Sequence, residues 1–150
     1  MNVVAIIQAR MGSTRLSGKV MKEVCGHPLL GHMLERLKHS KRINKIVVAT
    51  TTNKSDDIID KSVREWGFDV FRGSENDLLD RYYNAAKVFK ADVIVRLTAD
   101  CPLIDPNIVD MTISEFLSGD FDLVGTDGSF PDGLDTSVFS FKAIEKAWKE

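Results

Sequence analysis

Residues 3–19 read VVAIIQARMGSTRLSGK and combine two different patterns. Residues 3–7 form an uninterrupted, mostly β-branched apolar run, which is typical of a buried strand. The remainder carries Arg10, Arg15 and Lys19 among glycines and small hydroxyl residues. Such a loop offers free backbone N–H groups and three positive charges to one anion of high charge density. The sequence therefore predicts a first strand that leads into a loop suited to a nucleoside triphosphate.

Two better-known phosphate-binding loops do not fit this stretch. A P-loop requires four residues between its first glycine and a Gly-Lys-Ser/Thr group. Here five residues separate Gly12 from Gly18, and Val20 stands where the hydroxyl residue belongs. The dinucleotide motif Gly-x-Gly-x-x-Gly is absent, which disfavours a nicotinamide or flavin enzyme. A solvated basic loop after an edge strand remains the alternative.

The composition limits the class of protein. The 150 residues fit one domain, residues 1–150, and the net charge of −2 argues against a nucleic-acid partner. Apolar residues occur in short blocks, so we expect no membrane-spanning helix and no membrane partner. Cys25 and Cys101 lack metal-ligand spacing, which indicates a reducing cytoplasm. The three histidines are interpreted as residues on helix surfaces.

Strand and helix patterns alternate along the chain. Strands are predicted over 3–9, 45–50, 69–72, 92–97 and 121–125, and helices over 28–39, 56–66, 77–90, 106–117 and 141–150. Pro28 is predicted at a first helical position, Ser55 as a helix N-cap and Asp105-Pro106 as a cap and first position. Ile58, Leu78 and Leu79 are predicted to face the core, and Ser74 and Asp77 have capping-box-like spacing.

This alternation predicts an α/β protein with a largely parallel sheet covered on both faces. Ligands of such sheets lie beyond the carboxyl ends of the strands, where the winding direction reverses. If the strand order is 3-2-1-4, the basic loop and Asp100, which follows the fourth strand, face one crevice. Asp100 is then placed to hold Mg²⁺ on a triphosphate. A role as a turn cap before Pro102 is the alternative for Asp100.

Five stretches of the chain resemble the sugar cytidylyltransferases, whose type members activate 3-deoxy-manno-octulosonate and sialic acids. The basic loop over 8–19 resembles the activation loop of that family, although Ser17 replaces the usual proline. The remaining four resemble the branch named for spore-coat polysaccharide synthesis: GHPLL at 26–30, DLLDRYY at 77–83, TADCPLI at 98–104 and PDGLD at 131–135.

The resemblance implies a three-layer α/β/α, Rossmann-like fold of the nucleotide-diphospho-sugar transferases. It also implies attack of a sugar hydroxyl on the α-phosphate of CTP, with Mg²⁺ as cofactor, to give a CMP-sugar and pyrophosphate. Lys19, Arg10 and Arg15 would stabilise the triphosphate as catalytic residues, while Ala9, Gly12 and Ser13 would line it. Use of another nucleoside triphosphate, a phosphorylated acceptor, or a non-catalytic binding role remain alternatives.

Two further groups of residues are candidates for contacts with the base and with the sugar. Arg72, Asp77 and Arg81 lie beside the expected base pocket, and their alternative role is a solvated helix cap. Asp132 and Asp135 could face the sugar or a second metal, or serve only as turn residues.

Family members continue well beyond the region that residues 1–150 resemble. We therefore expect the chain to lack a C-terminal portion that usually supplies a second metal-binding aspartate, part of the sugar site and much of a homodimer contact. We also expect it to bind CTP–Mg²⁺ but to turn over poorly or not at all.

Overall fold

The computed structural model describes residues 1–150 and contains a six-stranded sheet flanked by helices. The strands are β1 (Val3–Gln8), β2 (Glu23–Val24), β3 (His27–Pro28), β4 (Lys45–Thr51), β5 (Asp69–Gly73), β6 (Val93–Thr98), β7 (Leu123–Gly125) and β8 (Ser137–Ser140). The helices are α1 (Leu29–Leu37), α2 (Asp57–Glu65), α3 (Leu78–Val88), α4 (Pro106–Ser118) and α5 (Phe141–Lys149), with 3-10 turns at Lys19–Met21 and Lys54–Asp56. No helix is both long and apolar enough to cross a membrane.

The order of the strands in the sheet is β5-β4-β1-β6-β8-β7. Strand β1 pairs in parallel with β4 on one side and with β6 on the other. The predicted order 3-2-1-4 of the first four long strands is therefore confirmed. Since the chain runs outward from β1 to β5 and then returns to β6, the winding direction reverses between β1 and β6. Their carboxyl ends form the edge at which a ligand is expected.

The far edge of the sheet departs from parallel pairing. Strand β8 runs antiparallel to β6, and the short β7 runs antiparallel to β8. The strand predicted over 121–125 is reduced to three residues, Leu123–Gly125. These two strands bring the segment that joins them, residues 126–136, back to the carboxyl end of β6.

Alternating residues of β1 face two different cores, which confirms the three-layer architecture. Ala5 and Ile7 pack with helices α1, α2 and α4, whereas Val4 and Ile6 pack with α3 and α5. Residues Val4 to Ile7 are all fully buried. Burial on both faces is what a parallel sheet covered by crossover helices requires, and it explains why β1 is apolar without alternation.

Three residues predicted to face the core are exposed instead. Ile58 is 49% exposed, Leu78 37% and Leu79 41%. Ile58 lies in the first turn of α2, where the next residue, Ile59, is fully buried as predicted, and the two leucines form the first turn of α3. The apolar periodicity was therefore wrong at these three positions only.

The helix caps confirm one prediction and correct three. Asp105 caps α4 by accepting from the Asn107 N–H at 2.8 Å, as predicted. Helix α2 begins after Asp56 rather than Ser55, because a 3-10 turn precedes it. Asp77, not Ser74, is the N-cap of α3 and accepts from the Asp80 N–H at 2.8 Å, while the Ser74 hydroxyl accepts from the Asp77 N–H at 3.1 Å as one half of the predicted capping box. Pro28 lies one residue before α1 and forms part of β3.

Helix α5 is held by aromatic contacts with α3. Trp148 stacks on Tyr83 with ring centres 4.4 Å apart, and its indole N–H donates to Asp80 at 2.9 Å. Ile144 is buried in the same interface. A helix of nine residues is marginal alone, so this packing accounts for its presence.

One of the three histidines, His27, does not lie where it was predicted. It lies in the β2–β3 hairpin and not on a helix surface. The centre of its ring is 5.3 Å from the ring centres of both His32 and Trp66. Cys25 and Cys101 are both free thiols.

Candidate functional site

A cavity of about 760 Å³ lies beyond the carboxyl ends of β1 and β6. Its walls are the basic loop, the turn after β6 and the segment between β7 and β8. Eight of the residues predicted for the site line it: Ala9, Arg10, Ser13, Arg15, Lys19, Asp100, Asp132 and Asp135. Tertiary structure therefore brings together residues that are up to 126 positions apart in the sequence, since Ala9 and Asp135 share one cavity.

The basic loop is closed on itself by backbone hydrogen bonds. The N–H groups of Ser13 and Gly18 both donate to the Met11 carbonyl, each at 2.9 Å. Gly18 has φ +68°, and a side chain there would approach the Met11 Cε atom to 3.1 Å. This left-handed position favours glycine and lets the chain turn into the 3-10 turn that carries Lys19. Gly12 is exposed and lies outside the residues that line the cavity.

A buried carboxylate that the sequence analysis missed ties this loop to the neighbouring strand. Asp56 is 1% exposed and accepts the Met11 N–H at 2.7 Å. Its second oxygen accepts the hydroxyl and, at 3.3 Å, the N–H of Thr51 at the end of β4. The sequence pattern places Asp56 only at the start of a predicted helix, and no local pattern marks a hydrogen bond that spans 45 residues. It positions the loop without lining the cavity.

Lys19 and Asp100 both line the cavity and form an ion pair. The Lys19 Nζ lies 3.6 Å from an Asp100 carboxylate oxygen, and the two side chains are 40% and 51% exposed. Burial by itself raises the pKa of Asp100. The hydrogen bond from Thr98 and the charge of Lys19 lower it by more than burial raises it, so the pKa of Asp100 lies below its usual value. Asp100 is therefore ionised at neutral pH and available as an oxygen ligand.

Arg72, Asp77 and Arg81 lie outside the residues that line the cavity. The guanidinium of Arg72 donates to the Thr51 and Asn53 carbonyls and to Asp57 at 2.7–2.8 Å. Arg81 is 4% exposed and donates to the Ser74 carbonyl at 2.9 Å. These contacts organise the chain between β5 and α3, and a role for the three residues in reading a base stays a prediction.

Several polar groups that the sequence analysis did not single out also face the cavity. Gln8, at the end of β1, has a buried side-chain carbonyl without a hydrogen-bond partner. Arg96 on β6 lines the cavity and pairs with Ser137 of the adjacent strand β8. A signal for Arg96 exists in hindsight, because a charged residue interrupts the apolar run of a central strand.

The donor groups in the cavity suit a metal ion that a bound nucleotide helps to coordinate. No group of three or more His, Cys, Asp or Glu side chains could hold a metal ion by itself. Mg²⁺ on a nucleotide, however, is commonly held by one or two carboxylates with phosphate oxygens and water completing its shell. The ionised, half-exposed Asp100 beside the basic loop fits that arrangement, with Asp132 and Asp135 in the same cavity.

The chain matches the cytidylyltransferase family over residues 4–150. It is 46% identical over 149 residues to an uncharacterized protein of Methanocaldococcus jannaschii, a match that covers 99% of this chain and 61% of that protein. It is 41% identical over 116 residues to the spore coat polysaccharide biosynthesis protein SpsF of Bacillus subtilis, covering 75% of this chain and 48% of SpsF.

Solved structures agree with this assignment. A cytidylyltransferase from Leptospira borgpetersenii is 43% identical with a TM-score of 0.95, and the match covers 99% of this chain and 64% of that one. A CMP:2-keto-3-deoxy-manno-octonic acid synthetase solved with CTP, 16% identical, shares the fold with a TM-score of 0.82 over 99% of this chain and 78% of that one. The chain therefore belongs to the cytidylyltransferase family, and it spans only part of the length of these relatives.

Proposed function

We propose that this member of the cytidylyltransferase family binds CTP in the cavity between β1 and β6 and transfers CMP to a sugar. The observation that carries the proposal is the meeting of two separately predicted elements: Lys19 from the basic loop lies 3.6 Å from Asp100 at the end of β6. A cationic loop and an ionised carboxylate at one switch point suit a metal–triphosphate complex. The name of the relative SpsF supports a sugar acceptor and a role in polysaccharide synthesis.

The proposed roles follow from the geometry of the cavity. Arg10 and Arg15 line it without a carboxylate within 4 Å, so their guanidinium groups are free to bind the β- and γ-phosphates. Lys19 is placed to offset charge on the α-phosphate and the leaving pyrophosphate. Ser13 also lines the cavity, and because its N–H donates to the Met11 carbonyl, it would contribute its hydroxyl group to the same anion.

Asp100 would hold Mg²⁺ on the triphosphate, where the cation offsets phosphate charge. In the proposed reaction an acceptor hydroxyl oxygen bonds to the α-phosphorus, the bond to the pyrophosphate oxygen breaks, and the hydroxyl proton is released. Transfers of this kind depend on positioning and charge stabilisation more than on covalent steps by the protein. The chain's residues supply both, since a short loop and a strand end hold the charged groups in place.

Three further features belong to the proposal. A homodimer is expected from the family resemblance. A reducing, cytoplasmic location is supported by two cysteines that stay unpaired. Asp132 and Asp135 line the cavity and are proposed to bind sugar hydroxyls or a second metal.

Nucleotide binding and transfer are tested separately. Thermal unfolding of the chain with each of the four nucleoside triphosphates, with and without Mg²⁺, should show the largest stabilisation for CTP with Mg²⁺. Pyrophosphate release with CTP and a panel of 2-keto-3-deoxy sugars then tests the transfer. Equal stabilisation by all four nucleotides would argue against a cytidylyltransferase, and an absence of any stabilisation would contradict the site itself.

A further inference from the structure

The segment between β7 and β8 forms one wall of the cavity. Asp132, Gly133 and Asp135 of this segment line the cavity together with the basic loop and Asp100. The other walls follow directly from buried parallel strands, whereas this wall is a loop of residues 127–135. The attachment of the 127–135 loop to the rest of the protein therefore decides whether the cavity has a fixed shape.

Two threonines clasp the ends of the 127–135 loop together. The Thr126 N–H donates to the Thr136 carbonyl at 3.0 Å, and the Thr136 N–H donates to the Thr126 hydroxyl at 3.1 Å. Both hydroxyl groups donate to the Leu134 carbonyl, at 3.4 Å and 3.2 Å. Thr136 is 2% exposed, so this clasp is anchored at the sheet. The loop thus has the close ends and the local bonding of an Ω-loop.

Beyond the clasp, no hydrogen bond or ion pair ties the 127–135 loop to its surroundings. Each hydrogen bond of its residues has both partners within 126–136, as when the Leu134 N–H donates to the Pro131 carbonyl at 3.3 Å. No residue of the loop belongs to either hydrophobic core, and none of its carboxylates forms an ion pair. The basic loop differs, because Asp56 holds it to β4. Segments with few buried contacts change conformation at a small cost in free energy.

Gly128 and Gly133 flank the tip of the loop, residues 129–132. A side chain at either glycine would meet no atom within 4 Å, so the tip has open space at both of its ends. Gly133 has φ +92°, a left-handed conformation that favours glycine. Loop residues of this kind absorb the changes in φ and ψ that a hinge requires. The tip can therefore move between two glycine joints while the clasp stays closed.

The charge of the loop determines which ligand can draw it inward. The 127–135 loop carries three carboxylates, those of Asp127, Asp132 and Asp135, and no cationic residue. Asp100 lines the same cavity and a triphosphate adds further negative charge, so a metal-free nucleotide repels the loop. Mg²⁺ reverses this effect, because it takes one or two carboxylates together with phosphate oxygens. The exposed, unpaired carboxylates of Asp132 and Asp135 suit such a cation.

We propose that the 127–135 loop is a lid, which closes over the cavity when CTP and Mg²⁺ are both bound and stays open with CTP alone. This inference rests on the proposed function. A ligand shifts a conformational equilibrium only if it interacts more strongly with one of the states. Here the difference is a contact between the metal and Asp132 or Asp135 in the closed state. Closure excludes water from the phosphates, as substrate-induced loop closure does in many enzymes.

Amide hydrogen exchange followed by NMR reports the lid directly in the unchanged protein. The N–H groups of Asp132, Gly133 and Asp135 donate to no acceptor in the structure, so they should exchange rapidly without ligand. Calorimetry first establishes that CTP–Mg²⁺ binds. Exchange is then measured without ligand, with Mg²⁺ alone, with CTP and EDTA, and with CTP and Mg²⁺. We expect CTP–Mg²⁺ to slow these amides by about tenfold, as for a closed state favoured by about ten to one, and the other conditions to leave them within about twofold.

Two variants separate the lid carboxylates from the loop as a whole. The double variant Asp132→Asn with Asp135→Asn removes both charges that line the cavity. Asp127→Asn is the matched control, because Asp127 belongs to the same loop but lies outside the cavity. Thermal unfolding confirms that both proteins are folded. The double variant should lose the Mg²⁺-dependent protection, and because closure and binding are linked, its affinity for CTP–Mg²⁺ should fall by the same factor of about ten. The control should keep both.

The inference fails if the three amides exchange equally fast with and without CTP–Mg²⁺ in a protein that binds it. Equal protection by CTP in EDTA would contradict the metal dependence, and protection that survives in the double variant would remove Asp132 and Asp135 from the closure. A protection factor that differs from the loss of affinity by more than about threefold would break the linkage between closure and binding. Failure to bind CTP–Mg²⁺ would appear in the calorimetry before exchange is measured, and it would contradict the proposed function as well.

Discussion

The hydrogen bonds of Asp56 predict that one buried carboxylate controls both the stability of the chain and the order of its basic loop. Asp56 accepts the Met11 N–H at 2.7 Å and both the hydroxyl and the N–H of Thr51. The informative changes are Asp56→Ala, which removes both carboxylate oxygens and with them all three hydrogen bonds, and Asp56→Asn, which keeps the side-chain shape. Asp57→Asn is the matched control, because that neighbouring carboxylate is 58% exposed.

The expected magnitudes follow from the number of donors left without partners. Each buried donor that loses its acceptor costs about 1–3 kcal/mol, although reorganisation reduces the sum. Asp56→Ala should therefore lower the free energy of unfolding by about 3–5 kcal/mol. Asp56→Asn retains an acceptor for Met11 but presents an amide N–H₂ to the Thr51 N–H, and should cost about 1–3 kcal/mol. Asp57→Asn weakens an exposed ion pair and should cost at most about 1 kcal/mol.

Two measurements separate a general loss of stability from a loss of loop order. Urea unfolding gives the free energy of unfolding for each variant. Amide hydrogen exchange followed by NMR reports the Met11 N–H directly, and its exchange should accelerate more in Asp56→Ala than that of amides in the centre of β1. Because the loop is the proposed triphosphate site, CTP–Mg²⁺ affinity should fall in Asp56→Ala and stay unchanged in Asp57→Asn.

The reasoning would be refuted if Asp56→Ala lost no more stability than Asp57→Asn. It would also be refuted if Met11 exchanged at the same rate in both variants, since the structure assigns the Met11 N–H to Asp56 alone. A loss of stability with unchanged CTP affinity would keep Asp56 as a structural residue and remove its role in positioning the loop.

Three further outcomes test the site and the last helix. Lys19→Ala, in a catalytically active form of the protein, should lose about 2–4 kcal/mol of transition-state stabilisation, measured as kcat/KM, and activity within threefold of the unchanged enzyme would contradict its role. Asp100→Asn should weaken calorimetric binding of CTP in Mg²⁺ while leaving metal-free binding nearly unchanged, and an equal effect in both conditions would make it a turn cap. Trp148→Ala removes the stacking on Tyr83 and the bond to Asp80 and should cost about 2 kcal/mol in urea unfolding, less than a fully buried tryptophan because Trp148 is 42% exposed. Stability unchanged in Trp148→Ala would mean that α5 does not depend on this contact.

Local patterns in the sequence were sufficient for much of the fold. The apolar run of β1, the Asp105-Pro106 start of α4 and the alternation of strands and helices are short-range signals, and the structure confirms each of them. The position of the basic loop and of Asp100 also followed, because each comes directly after a buried strand. Once the strands are parallel and adjacent, residues that follow them must meet at one edge of the sheet.

Tertiary contacts decided what the local patterns could not. Periodicity marks a helix face as apolar, but only the packing of neighbouring elements determines whether Leu78 and Leu79 in the first turn of α3 are covered. In the same way, Arg72 and Asp100 are both charged residues at or just beyond a strand end. Arg72 is occupied by Asp57 and two carbonyls, whereas Asp100 opens into the cavity.

The sequence by itself determined the parallel α/β architecture and a cationic loop at its switch point. Hydrophobic spacing and loop chemistry are properties of neighbouring residues, so they can be read without the fold. The tertiary structure alone decided that Asp56 holds that loop from 45 residues away and that Arg96 shares its cavity with hydroxyl groups of an antiparallel edge. Such pairings depend on strand register and packing across the sheet, which no local pattern of residues specifies.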